Sequence, residues 1–469
     1  MPRDVHSDGG QEVSVPSAQR TVHVFSADRS LGIDAMPSLS SVRVFVEKGH
    51  VIGVEGSIAG TEDEPFAAGE VPASAEDRLE NDAPIRLVRH VLGEVVLTPA
   101  FVDAHVHLEL SQWNAPPAAP GESFSEWVRR VIAFRQSEAY DRRTAIAAGI
   151  AECLASGTVA VEDIAQPGTT GADYGTTVQQ GRCERNAAFD DTPAVDVTAY
   201  FEIIDPAGDR ISQWATAAEA FIDDCRRHGV QPGLSPHAPY TVPFAVLQKV
   251  MDLACQKGVS VAMHLAETAA EAELLAQRTG PFRRLLEERG LWNESLWPPE
   301  VTMRDYLREL ARAPAARIIH GRYLRDAELR FLAERSDRMT LVVCPLTHEQ
   351  FGREAYPRTF AQLPNVAVGS DSLASSPALR VSASLERLGA WGWAAGKRLW
   401  AIGTGQTLDR GPTFPAVGAN ADFLAWRIDG EGVGLSADAD TWYDAILDRG
   451  ELQAVYRRGR RIFPRGKHT

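Results

Sequence analysis

The chain has 469 residues, 44% hydrophobic and 24% charged, which excludes a disordered or fibrous protein and fits several domains or one large α/β barrel with a smaller partner. Lys and Arg number 48 against 63 Asp and Glu, and the resulting net charge of −15 argues against nucleic acid or an anionic membrane as the principal partner. The five cysteines (Cys153, Cys183, Cys225, Cys255, Cys344) form no C-x-x-C pair, no cationic start leads into an apolar stretch, and no apolar run approaches the roughly 18 residues of a membrane span, so reduced thiols in a cytoplasmic protein are expected.

Residues 1–20 are polar and aperiodic and predict a mobile tail. From "RTVHVFSA" through "SVRVFVEKGHVIGVEG", β-branched runs split by Gly and Asp predict hairpins, and the acidic, small-residue segment 60–84 predicts a surface loop. "IRLVRHVLGEVVLTPAFVDAHVHLEL" resumes strand character, and "ADFLAWRIDG" and "ELQAVYRRGRRIFP" near the far end alternate in the same way. The expected organisation is a composite β-sandwich domain built from 21–98 and 415–469, enclosing a barrel over 99–414.

The middle of the chain alternates short apolar strands with helical stretches. Eight strands are predicted: "FVDAHVHL", "TVAVEDIA", "DVTAYFEII", "GVQPGLSPHA", "VSVAMHLAE", "RIIHGRY", "MTLVVCPLT" and "NVAVGSDS". Stretches such as "SQWATAAEAFIDDCRRH", "PFAVLQKVMDLACQK", "AEAELLAQ" and "RDAELRFLAER" carry apolar residues at three- and four-residue spacing and predict helices between them. Eight βα units point to a (β/α)8 TIM-type barrel, whose chemistry lies at the C-terminal ends of its strands.

The unusual polar residues fall at those ends. His105 and His107, two apart on a strand, present two imidazoles to one face. His237 ends strand four, His264 ends strand five with Glu267 just beyond, His320 ends strand six and Asp371 ends strand eight. Any one of these histidines alone reads most simply as a hydrogen-bonded structural residue. Five strand ends carrying His or Asp, each after a core-like run, read instead as a site converging on one mouth. Glu109 and Trp113 follow the first pair as candidates for the pocket rim, Glu109 reading equally well as a solvated loop carboxylate. Of the other histidines (His6, His23, His50, His90, His228, His348, His468), most read as surface residues, and His348, after strand seven, is a candidate to line the mouth.

"PAFVDAHVHLE", "SPHAPYTV", "HLAET", "IIHG" and "VGSDSLAS", occurring in that order, resemble the amidohydrolase superfamily and its mononuclear aminohydrolase branch. The resemblance implies that His105, His107, His264 and Asp371 bind one divalent metal ion, Zn²⁺ first and Fe²⁺ as an acceptable substitute, supplying hydroxide at neutral pH. It further implies that His237 meets the substrate, Glu267 shuttles protons, and His320 and Asp371 orient the attacking water. No Lys stands where some relatives bridge two metals, although Glu202 leaves a two-metal reading through a carboxylate. The implied activity is hydrolytic deamination of an aminated heterocycle. "SPHAPYTV" and "HLAET" look like the branch acting on adenine with a modified ribose, such as 5'-methylthioadenosine, S-adenosylhomocysteine or aminodeoxyfutalosine. The partner is then a small molecule, and family habit adds a homo-oligomer.

Two departures stand out. "CPLTH" replaces the "CPRS" common among relatives, implying a lost contact after strand seven, and the segment after "GSDSLASS" looks shortened, implying loss of part of the last barrel layer. Two competing readings stay open at this level. One keeps the site but cleaves an amide, or displaces chloride or an amine from a triazine-like ring. The other is a non-catalytic barrel kept as a binding module.

Overall fold

The computed structural model describes residues 20–33, 36–58, 64–70, 85–117, 122, 124–138, 140–175, 195–408, 410–428 and 437–462. The tail expected over 1–20 lies outside the described residues except for Arg20, which opens the first strand. Cys183 and most of the expected 60–84 loop lie outside them as well.

Five strands lead in: β1 (Arg20–Ser30), β2 (Leu39–Glu47), β3 (His50–Ile58), β4 (Pro65–Gly69) and β5 (Ile85–Pro99). β4 falls inside the segment expected to be loop, because Pro65–Gly69 pairs antiparallel with the exposed edge of β3. The barrel follows as β6 (Phe101–Val106), β7 (Thr158–Ala165), β8 (Asp196–Ile203), β9 (Gln231–Pro236), β10 (Ser260–Leu265), β11 (Ala316–His320), β12 (Met339–Val343) and β13 (Val366–Val368). Their sheet runs in sequence order and every adjacent pair is parallel. A parallel bridge between Val106 and Asp371 brings the last strand back to the first, completing the (β/α)8 barrel. Gly369 sits where the two ends pass, and a Cβ there would lie 2.7 Å from the His105 Cβ and 2.8 Å from its carbonyl oxygen.

Three strands return from the far end, β14 (Phe423–Ile428), β15 (Gly450–Arg457) and β16 (Arg460–Arg461). They join the lead-in strands in one eight-stranded sheet, in the order β16-β15-β14-β5-β1-β2-β3-β4. The sheet folds over on itself: Val51 donates to the Ala419 carbonyl at 2.9 Å, and Phe25 of β1 meets Phe423 of β14 and Tyr456 of β15 edge-on. Both ends of the chain thus enclose one apolar layer, as the alternating patterns at the termini predicted.

The segment expected to be trimmed carries helices that cover the end of the barrel. Helices Val381–Ala390 and Gly396–Gly403 follow β13, and a third, Ala439–Arg449, comes from the far end, where only strands were expected. The third helix is tied on by Asp444, which accepts from the Gly396 N–H at 2.7 Å. Trp400, fully buried, lies 5.0 Å from Phe101 of β6, 4.8 Å from Tyr443 and 6.1 Å from Trp426 of β14, so a single indole packs barrel, returning strand and terminal helix together. Trp400→Ala is therefore expected to cost about 3–5 kcal/mol of unfolding free energy, read as a lowered urea midpoint. A loss below ~1 kcal/mol would show that this indole does not hold the layer. Among the described residues no helix is long and apolar enough to cross a membrane.

Candidate metal centre at the barrel mouth

The side chains singled out by sequence meet at the C-terminal end of the barrel, and strict strand alternation alone would not have aimed them all inward. On β6, Val102 and Ala104 belong to the barrel interior, whereas Phe101 and Val106 pack in the outer core. The register against β7 is irregular between Asp103 and Val106, and this break lets His105 join the interior immediately after Ala104. On β11, alternation would send His320 outward with Ile318. Its backbone instead turns into the left-handed region (φ 66°), as do Asp371 (φ 66°) and Ala266 (φ 54°) beside Glu267. Each such non-glycine conformation costs of order 1–3 kcal/mol, and strain of this kind concentrates at functional sites.

The ring of His105 lies 4.9 Å from that of His107, 5.0 Å from His264 and 5.8 Å from His320. The Nε2 atoms of His105 and His107 stand 3.5 and 3.6 Å from the same oxygen of Asp371. Two overlapping triads, His105–His107–Asp371 and His105–His264–His320, each bring three ligand atoms within 4.8 Å of one another. All four expected ligands are thus gathered, with His320 as a fifth donor on the same side. Glu202 belongs to neither triad. Its carboxylate takes a hydrogen bond from Gln166, so the two-metal reading gains no support among the described residues.

The donor set suits a divalent cation. Both ring nitrogens of His105, and Nδ1 of His107 and His320, are buried without a hydrogen-bond partner. His264 donates Nδ1–H to the His237 carbonyl at 3.0 Å, which leaves its Nε2 lone pair for an ion. His237 makes a 2.7 Å bond from Nδ1 to Thr241, whose own hydroxyl donates to Ala238, so Nε2 of His237 also remains an acceptor. Burial keeps the rings neutral: desolvation lowers His264 and His320 to about 3 and His237 to about 4, and His107 well below the ordinary imidazole range. Burial alone would raise the Asp371 carboxyl, but the His105, His320 and His107 rings outweigh it and hold the group well below the usual carboxylate range. Imidazoles around one ionised carboxylate are a ligand set for a divalent metal ion.

Second contacts hold these groups in place, and few were visible in sequence. Buried Asp103 accepts from the backbone N–H of Ser370 at 3.0 Å and of His105 at 3.3 Å, bolting the ends of β6 and β13 together. Asp163 accepts from Leu108 N–H, next to His107, and from the Tyr174 hydroxyl. Thr347 donates to Asp371 Oδ2 at 2.8 Å, so the altered "CPLTH" segment does make a polar contact to the site. An arginine also arrives from just beyond the helix Pro345–Gln350 that carries Thr347: Arg353 Nη1 donates to Glu267 Oε1 at 3.1 Å. Glu267 Oε2 lies 4.0 Å from His320 Nε2. Buried Glu271 accepts from the N–H groups of Ala266 and Glu267 and fixes the backbone beneath the latter.

The remaining candidates are placed as follows. Glu109 is 1% exposed, and Arg135 and Tyr140 donate to its carboxylate, so the solvated-loop alternative does not hold. Trp113 packs against Phe134 at 5.2 Å, under the Arg130 guanidinium, in an apolar cluster with Leu110, Val131 and Ala374. His348 is fully buried, 6.1 Å from His320, with neither ring nitrogen hydrogen-bonded. His23, expected at the surface, is buried and bonded to His90 at 3.0 Å, because β1 and β5 pair side by side. A separate cavity of about 470 Å³ opens at the opposite end of the barrel, beside Gln231 and Ser260 at the starts of their strands. Its arginines 317 and 410 are paired with Glu162 and Asp196, and it lies away from the histidines.

Comparison with known proteins places the chain in a family and a fold. The chain is similar to aminodeoxyfutalosine deaminase of Deinococcus radiodurans, 26% identical over 353 residues that cover 71% of this chain and 73% of that one. It is 35% identical over 149 residues, about 30% of each chain, to the 5-methylthioadenosine/S-adenosylhomocysteine deaminase of Pyrococcus furiosus. The crystal structure of Helicobacter pylori aminofutalosine deaminase in complex with methylthio-coformycin shares the fold, with a TM-score of 0.72, 16% identity and coverage of 94% of this chain and 100% of that one. Residues 96–391 match the amidohydrolase family, and that span holds every strand end of the mouth; the chain belongs to this family.

Proposed function

We propose that the protein is a hydrolytic deaminase that converts an adenine nucleoside derivative with a modified ribose to its oxo product and ammonia, using one zinc ion. The observation that carries this reading is the pair of triads sharing His105, one of three histidines and one completed by Asp371, with Glu267 against their His320 side. The names of the similar proteins, deaminases of aminodeoxyfutalosine and of methylthioadenosine or adenosylhomocysteine, support the substrate class.

His105, His107, His264 and Asp371 would hold the ion, which when bound lowers the pKa of water from about 15.7 toward about 7. Asp371 and His320 orient the attacking water toward the ring carbon that bears the exocyclic amine. Glu267 takes the proton lost as the C–O bond forms and delivers it to the ring nitrogen. The remaining hydroxyl proton then passes, again by way of Glu267, to the exocyclic amine, the C–N bond breaks, the amine leaves as ammonia, and the ring carbon keeps the oxygen as a carbonyl. His237, with Nε2 as a neutral acceptor, contacts the substrate.

The test is ammonia release from adenosine, 5'-methylthioadenosine, S-adenosylhomocysteine and aminodeoxyfutalosine, paired with metal analysis. Turnover on at least one nucleoside, abolished by a chelator and restored by Zn²⁺, is expected. Activity confined to amides or chlorotriazines, or stoichiometric metal with no turnover on any amine, amide or halide, would overturn the reading.

A further inference from the structure

We infer that Arg353 is a positioning residue for proton transfer, holding one oxygen of Glu267 so that the other faces the reacting atoms; this rests on the deaminase reading above. Glu267 is held at its backbone and at its carboxylate. Its backbone N–H donates to Glu271, and its Oε1 accepts from Arg353 Nη1 at 3.1 Å, across 86 residues of sequence. Only Oε2 is left toward His320, at 4.0 Å. The Arg353 side chain is 14% exposed and that of Glu267 is 9% exposed, so the pair lies out of bulk solvent. Burying such a pair carries a desolvation cost that a plain surface loop has no reason to meet.

Arg353 is itself held. Its N–H donates to the His348 carbonyl at 2.9 Å, and its guanidinium stacks 4.6 Å over Phe351. Phe351 in turn meets Trp127 edge-on at 5.7 Å, and Trp127 donates from its indole to the Ala374 carbonyl at 2.8 Å. The helix Pro345–Gln350 with the turn beyond it and the helix Phe124–Arg135 thus set the guanidinium before substrate arrives. A shuttle carboxylate serves two partners in turn, first water and then the ring, and a misplacement of about 1 Å costs such a group roughly 10²-fold. Fixing Oε1 removes the rotamers in which Oε2 points away.

The experiment compares Arg353→Lys, Arg353→Met and Arg353→Ala in the zinc-loaded enzyme on the nucleoside it turns over fastest. For Met and Ala, kcat is expected to fall roughly 10–10²-fold with KM within about twofold of the parent and zinc content unchanged, because geometry rather than binding is lost. Lys should retain an intermediate rate, and added guanidinium should restore part of the kcat of Arg353→Ala. In the double variant Arg353→Met/Glu267→Gln, the arginine change should add nothing to the loss from Glu267→Gln alone. A parental kcat in Arg353→Met, a raised KM at constant kcat, or additive losses in the double variant would each overturn the inference. Should Arg353→Ala fail to fold, the Lys and Met variants decide it. If Glu267→Gln itself ran at the parental rate, Glu267 would not be the shuttle and the Arg353 inference would fall with it, whereas the deaminase reading fails only if no nucleoside releases ammonia.

Discussion

Replacing Glu267 by Gln is expected to lower kcat by ~10²–10⁴-fold while leaving bound metal at the parental level. The amide keeps the size of the side chain and an acceptor for Arg353, so the segment after β12 should stay in place. What it loses is the capacity to take a proton from water and return it to the ring. At 1.36 kcal/mol per decade, the expected loss is about 2.7–5.5 kcal/mol of barrier. Glu267 is in neither metal triad, so metal analysis should read the same for variant and parent. A variant that turned over at the parental rate would remove Glu267 from the reaction.

Asp371→Asn is expected to act in the opposite order, losing the metal first and activity as a consequence. Asp371 is the one carboxylate in the two triads, and its Oδ1 faces both His105 and His107. Asn preserves the volume, can still accept from Thr347, and tolerates the left-handed backbone, so the fold should survive. The change removes the negative charge that balances a divalent ion among neutral rings. Outer partners of a metal site are worth about 10–100-fold in affinity, and a direct ligand should exceed that, so zinc affinity should fall by more than ~100-fold. Titration of the metal-free protein with Zn²⁺ measures this directly, and parental affinity in Asp371→Asn would refute the donor set. The two variants together separate holding the ion from moving the proton.

Much of the architecture was legible along the chain, because it rests on local periodicity. "TVAVEDIA" is β7 residue for residue, and "SQWATAAEAFIDDCRRH" and "PFAVLQKVMDLACQK" match helices Ile211–Arg227 and Phe244–Lys257 to within one residue at each end. The errors came where packing overrode pattern. Ala439–Arg449 became a helix because Tyr443 and Asp444 meet Trp400 and Gly396, residues more than forty positions away. Asp103, Thr347, Glu271 and Arg353 carried no signal of their own, since an acidic or basic residue near a strand end reads as solvated until its partner is known.

The sequence by itself determined which chemistry could exist: imidazoles at the ends of apolar strands, a carboxylate after the eighth, and βα alternation that obliges those ends to share a mouth. Only the tertiary structure decided how they meet. The irregularity between Asp103 and Val106 brought His105 inside, the left-handed turn at His320 reversed its side, and the return of β13 to β6 set Asp371 against both first histidines. The physical reason is that side-chain type is local, whereas burial, which strips the rings of protons and brings Arg353 to Glu267, comes from chain segments that meet only after folding.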